Sequence, residues 1–151
     1  MIREQFSSDL KHALKARDAR RVSTLRLITA ALKDRDIAAR TEGNGGPVPD
    51  SEILALLARM IRQRQESAKA YDEGGRPELA DRERAEIAII RAYLPRQMSE
   101  AEVEAAVTAA IAATGAASAR DMGKVMAALK ARHTGEMDFA QASAAVKRAL
   151  G

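Results

Sequence analysis

Cysteine and tryptophan are absent from the chain. Without thiols there can be no disulfide, zinc–thiolate site, iron–sulfur cluster or cysteine nucleophile, a pattern that fits a reducing compartment. Aromatic residues are nearly as scarce, with Phe6, Tyr71, Tyr93 and Phe139 making up the set. A core must therefore come from Leu, Ile, Val, Met and Ala, which pack well between closely spaced helices. Alternating runs of β-branched and aromatic residues, the material of a sheet, are missing too. No window approaches the roughly 18 apolar residues of a membrane span, and the N-terminus lacks the apolar run of a signal peptide. The cytoplasm is the expected location, and no membrane partner is expected. His12 and His133 lie far apart and fit no metal spacing, so neither a metal nor another cofactor is expected.

What is present is helical periodicity. The expected fold is all-α, a four-helix unit of helical hairpins over 1–97 followed by a three-helix unit over 98–151. The first helix is predicted from about Arg3 to Arg17, with Phe6, Leu10, Ala13 and Leu14 as its apolar stripe. Asp18 and Ala19 allow a break before a second helix that repeats Val22, Leu25, Ile28 and Leu32 and runs to about Ala39. Neither glycine nor proline marks this break, and the hairpin is preferred because a 38-residue helix would lack a partner of its own length. Gly43-Asn44-Gly45-Gly46-Pro47-Val48-Pro49 is a loop, after which Asp50 or Ser51 can cap a third helix over about 51–72. Gly74-Gly75 stops that helix. Pro77 suits the first turn of a fourth, which ends before Pro95. In the second unit Ser99 with Glu102, Ser118 with Asp121, and Asp138 with Gln141 have capping-box spacing, strictly so only for the first pair.

Charge is unevenly placed. Residues 1–97 hold 19 Lys and Arg against 15 Asp and Glu, whereas 98–151 hold six of each, so the whole excess of +4 lies in the first unit. Lys11, Lys15, Arg17, Arg20, Arg21, Arg26 and Lys33 fall on the first hairpin, with Asp18 the single acid between positions 10 and 33. Arg59 and Arg62 lie on the third helix. Guanidinium forks match phosphate oxygens, which makes this a candidate surface for a structured RNA. The competing reading is a solvated, solubilising face.

Arg64 sits on the apolar 57–60–64–68–71 stripe of the third helix, and Glu83 likewise on the 79–83–87–90–94 stripe of the fourth. A charge at a core-facing position needs a partner. The expected structural ion pair is Arg64 with Glu83 or, failing that, Glu86. Gly123-Lys124 at a helix start could hold a phosphate, but the other glycines of a nucleotide loop are missing, and close approach of a neighbouring helix at Gly123 is the favoured reading. Ser67 and Ser143 lie mid-helix without a base in motif spacing, and no catalytic residue is assigned.

Several stretches together resemble one family. Leu25-Arg26-Leu27-Ile28-Thr29-Ala30-Ala31-Leu32-Lys33, Arg62-Gln63-Arg64-Gln65-Glu66-Ser67, Tyr71 with Gly75-Arg76, Glu83-Arg84-Ala85-Glu86-Ile87, Tyr93-Leu94-Pro95 and Asp121-Met122-Gly123-Lys124-Val125-Met126 are similar, in this order, to the YqeY-like family. These proteins are freestanding relatives of the C-terminal tail region of aspartyl/glutamyl-tRNA amidotransferase, a tail carried by the component of that enzyme that activates the tRNA-bound carboxylate. Gly135-Glu136-Met137-Asp138-Phe139 departs from the Asp-Gly pair of many members. The resemblance implies an N-terminal helical unit joined to a three-helix unit, and descent from a module that contacts the outer body of tRNA. It does not bring the large activating cradle of the amidotransferase or the Ser-Ser-Lys apparatus of an amidase, which this sequence lacks.

The expected function is a noncatalytic or accessory role in tRNA handling, with tRNA or another structured RNA as partner and Arg17, Arg20, Arg21, Arg26, Arg59, Arg62 and Lys124 as contacts. A tRNA-handling protein is the other expected partner. The alternatives are a carbon–nitrogen ligase using glutamine as amide donor and a protein-interaction adaptor.

Overall fold

Helices α1 (Ile2–Lys15), α2 (Ala19–Thr41), α3 (Asp50–Glu73) and α4 (Pro77–Arg91) form the first part of the chain in a computed structural model that describes residues 1–43 and 45–151. Asn44, part of the predicted loop, lies outside the described residues. Three further helices, α5 (Glu100–Thr114), α6 (Met122–His133) and α7 (Phe139–Leu150), form the second part, with one 3-10 turn at Ala119–Asp121. Among the described residues there is no strand. Contacts divide the chain into Met1–Leu94 and Pro95–Gly151. That boundary falls three residues before the expected one. Gln97 Nε2 donates to the Gly135 carbonyl at 2.7 Å and the Met98 N–H to that of Glu136 at 2.8 Å, which ties this segment to the second unit.

In the first unit α3 and α4 pack along each other, and α2 packs on α1, α3 and α4. Phe6, Leu25, Ile28, Ile53, Leu57 and Ile90 are the large side chains sealed at the centre. The α2–α3 loop is held by a polar clip. Arg3 forks onto Asp36 at 2.7 and 3.0 Å and donates to the Val48 carbonyl at 2.9 Å, while the Val48 N–H donates to Asp36 at 2.9 Å. The Arg3 guanidinium, then the Val48 amide, hold the Asp36 carboxyl below its usual range. The predicted cap of α3 is not found: Pro49 is the N-cap residue, and Asp50 is already helical.

The second unit has its own core of Val107, Val125, Leu129, Met137, Ala142 and Val146. Ser99 and Glu102 form the full reciprocal capping box of α5, at 3.2 and 3.1 Å. Ser118 caps only the 3-10 turn, and the Asp121 carboxylate accepts from the Ala117 N–H at 2.9 Å.

Candidate nucleic-acid interface

The break between α1 and α2 is made without glycine. Arg17 adopts φ +55°, the Arg17 N–H donates to the Leu14 carbonyl at 3.2 Å, and the Asp18 N–H donates to that of Ala13 at 3.0 Å. This is the Schellman pattern, which reverses the chain through one left-handed residue. Asp18 then caps α2, its carboxylate accepting from the Arg21 N–H at 3.1 Å. The single acid of this stretch is therefore occupied by backbone. Lys11, Lys15, Arg17, Arg20, Arg26 and Lys33 are exposed, and among the described residues no carboxylate lies within salt-bridge range of them. Arg26 and Lys33 are seven residues apart and so share a face of α2.

The structure brings some of the predicted residues together and separates others. Arg17 and Arg26 line one groove. Arg20 is exposed beside it in sequence, whereas Arg21 is half-buried and its charge acts on the Tyr93 phenol. On α3, Arg59 is exposed and Arg62, one turn on, is half-buried. Lys124 belongs to the other unit, where its amine stands 4.0 Å from the Asp121 carboxylate. Among the described residues none approaches Gly123 closely, against the favoured reading: a Cβ there would meet nothing within 4 Å.

The groove is not legible in the sequence as a feature. Leu14, assigned to the apolar stripe of α1, is 47% exposed, because the chain turns away at Arg17 before α2 can cover it. Leu27, which falls outside the buried 25–28–32 stripe of α2, is 45% exposed. With Ala19 and Val22 they wall an open groove of about 640 Å³. The available signal is an extra leucine off the buried stripe, beside a basic residue.

The core-facing charges pair differently from the first expectation. Arg64 donates through Nε to Glu86 at 2.9 Å, and through Nη1 to the Met60 carbonyl at 3.1 Å. Glu83 is left without that hydrogen bond, one turn earlier on α4. Burial and the neighbouring Glu86 push its carboxyl up, and Arg64 offsets only part of this. The partner is thus the alternative, Glu86, while a second N–H of the same fork turns back onto a carbonyl of its own helix. Among the described residues no three His, Cys, Asp or Glu side chains are placed to share a metal ion, and no helix is long and apolar enough to cross a membrane.

A protein of Lachancea thermotolerans named altered inheritance of mitochondria protein 41, mitochondrial, is 33% identical over 105 residues, covering 68% of this chain and 54% of that protein. The proteins of that name from Clavispora lusitaniae and Eremothecium gossypii are 31% and 28% identical, over 57% and 59% of this chain and 47% and 46% of theirs. The chain thus spans about half the length of the curated relatives it matches. Residues 3–150 match the family described as Yqey-like protein, and the chain belongs to that family.

Proposed function

We infer that this protein is a noncatalytic, accessory module of tRNA handling that holds the outer body of a tRNA through its phosphates. The observation that carries this reading is the un-neutralised cationic surface of α1 and α2, where six exposed Lys and Arg side chains have no carboxylate partner among the described residues. A purely solubilising face has no need to exclude acids, since mixed signs serve solubility as well. Arg17, Arg20 and Arg26 offer forks to phosphate oxygens, and Lys11, Lys15 and Lys33 offer point charges. Arg59 and Arg62 on α3 are further proposed contacts, and so, taken by itself, is Lys124 of the second unit. With so few aromatic side chains there is no platform for unpaired bases, so the reading is of backbone position and not of base edges. Resemblance to the amidotransferase tail region supports tRNA over other structured RNAs. The cytoplasmic location expected from the sequence suits such a partner.

Salt tests it. If about four phosphates are engaged, tRNA affinity measured by filter binding should fall roughly a hundredfold between about 50 and 200 mM salt. Arg20→Glu with Arg59→Glu should weaken binding at every salt concentration and flatten the slope by about two. Affinity indifferent to salt and to both reversals would remove the proposal, and so would glutamine- and ATP-dependent amidation of tRNA-bound substrate by the purified protein alone.

A further inference from the structure

We propose that the groove at the α1–α2 corner docks a short, acidic amphipathic helix from a partner protein. Leu14 and Leu27 are each nearly half exposed there, with Ala19 and Val22 completing an apolar wall. Arg17 and Arg26 are the charged side chains among the lining residues, and no acid lines the groove. Its volume is about 640 Å³ and it lies broadly open to solvent, as a surface depression does. An open apolar trough suits helix-in-groove recognition, in which anchors at i and i+3 or i+4 enter the trough and polar residues flank it.

Charge selects the occupant. The two arginines, with Lys11, Lys15 and Arg20 in the adjoining sequence, place positive potential around an apolar centre, so the matching helix carries leucine-like anchors flanked by Asp or Glu. A second copy of this chain docking groove to groove about a two-fold axis would set Arg17 and Arg26 against the same residues of its partner. RNA gains nothing from leucine walls, and no aromatic ring is there to stack a base. The inference does not depend on tRNA binding: phosphates would use the guanidinium tips and leave the apolar wall empty.

The test is selection of 16-residue peptides displayed on phage against the full-length protein, with counter-selection against the Leu14→Ser/Leu27→Ser variant. Circular dichroism checks that this variant is folded, and Leu14→Ala/Leu27→Ala replaces it if helicity is lost. The expected winners carry two Leu, Ile or Met residues one turn apart among acidic residues. A synthetic winner, followed by fluorescence anisotropy, should lose at least tenfold in affinity on the serine variant and on Arg26→Glu, while tRNA affinity of the serine variant stays within twofold. Winners without acidic residues, or no peptide family lost on the serine variant, would overturn the proposal. So would a dimer in analytical ultracentrifugation that the two serines dissolve, which assigns the groove to a second copy. Loss of tRNA binding in the serine variant would assign it to RNA.

Discussion

Arg17 and Gly115 occupy the same position in two turns of one kind, after α1 and after α5. Each follows the last residues of a helix with positive φ, +55° for Arg17 and +68° for Gly115. In each the next residue donates back to the helix, Asp18 to Ala13 at 3.0 Å and Ala116 to Ile111 at 3.2 Å. Gly75 closes α3 in this way too, with φ +73°. Glycine accepts the left-handed region without a Cβ clash, whereas arginine does not. Arg17→Gly is therefore expected to raise the stability of the first unit by about 0.5–1 kcal/mol, the steric relief exceeding the extra chain entropy of glycine. The same substitution removes a cation, so the tRNA salt slope should fall by about one. Urea denaturation and filter binding of one variant would thus move in opposite directions. A variant that loses stability would show that the arginine side chain supports the turn.

Thr24 is fully buried in α2, and its hydroxyl has no hydrogen-bond partner among the described residues. A buried hydroxyl without a partner keeps its desolvation cost and gains nothing in return. Valine replaces the hydroxyl with a methyl group and keeps the β-branched shape. Thr24→Val should stabilise the first unit by about 1 kcal/mol, seen as a higher urea midpoint with unchanged slope. A lower midpoint would mean that the extra methyl overpacks the site or that the hydroxyl holds a water.

Much of the fold is readable from residue patterns, and the exceptions have physical causes. Ser99 and Glu102 carry their cap in their spacing, because both bonds are local. The pairing of Arg64 is readable only as a need: its stripe position demands an acid, but which of Glu83 and Glu86 meets it depends on how the two packed helices are rotated. Helical period assigns Leu14 inward, while its exposure depends on where the chain reverses. That reversal depends on a left-handed arginine, which no sequence signal marks. The candidate site is legible as charge, since Lys and Arg outnumber acids locally, but the partial burial of Arg21, which sets it apart from Arg20, comes from tertiary structure.

Glu83 and Glu86 should respond in opposite ways. Glu86 holds a guanidinium whose side chain is only 13% exposed, so Glu86→Gln is expected to cost about 1–3 kcal/mol by weakening a charged hydrogen bond. Glu83→Gln removes a half-buried like charge beside Glu86 and should leave the urea midpoint unchanged or higher. The sign with pH follows: a carboxyl raised in the fold binds its proton more tightly there than in the unfolded chain. Its contribution is present below the ordinary value of 4.5 and is lost as pH rises through the folded value. Glu83→Gln should flatten that part of the stability curve. A steeper loss in the variant would exclude this role.

Tyr93 donates its hydroxyl to Asp9 at 2.5 Å, joining the residues after α4 to α1, and its ring meets Phe6 edge-on at 4.9 Å. Tyr93→Phe keeps the ring contact and loses the bond to a carboxylate, which should cost the first unit about 1–2 kcal/mol. Burial, and then the bond to Asp9, push the phenol well above its ordinary value of 10.0. The native state therefore holds this proton more tightly than the unfolded chain. The stabilisation is complete below about pH 10 and declines as pH rises from there through the folded value. Urea midpoints measured from pH 8 to 11 should fall more steeply for the parent protein than for Tyr93→Phe, so the difference between them narrows with alkalinity. A difference that stays constant or widens across that range would mean that the fold holds the Tyr93 proton no more tightly than the unfolded chain does.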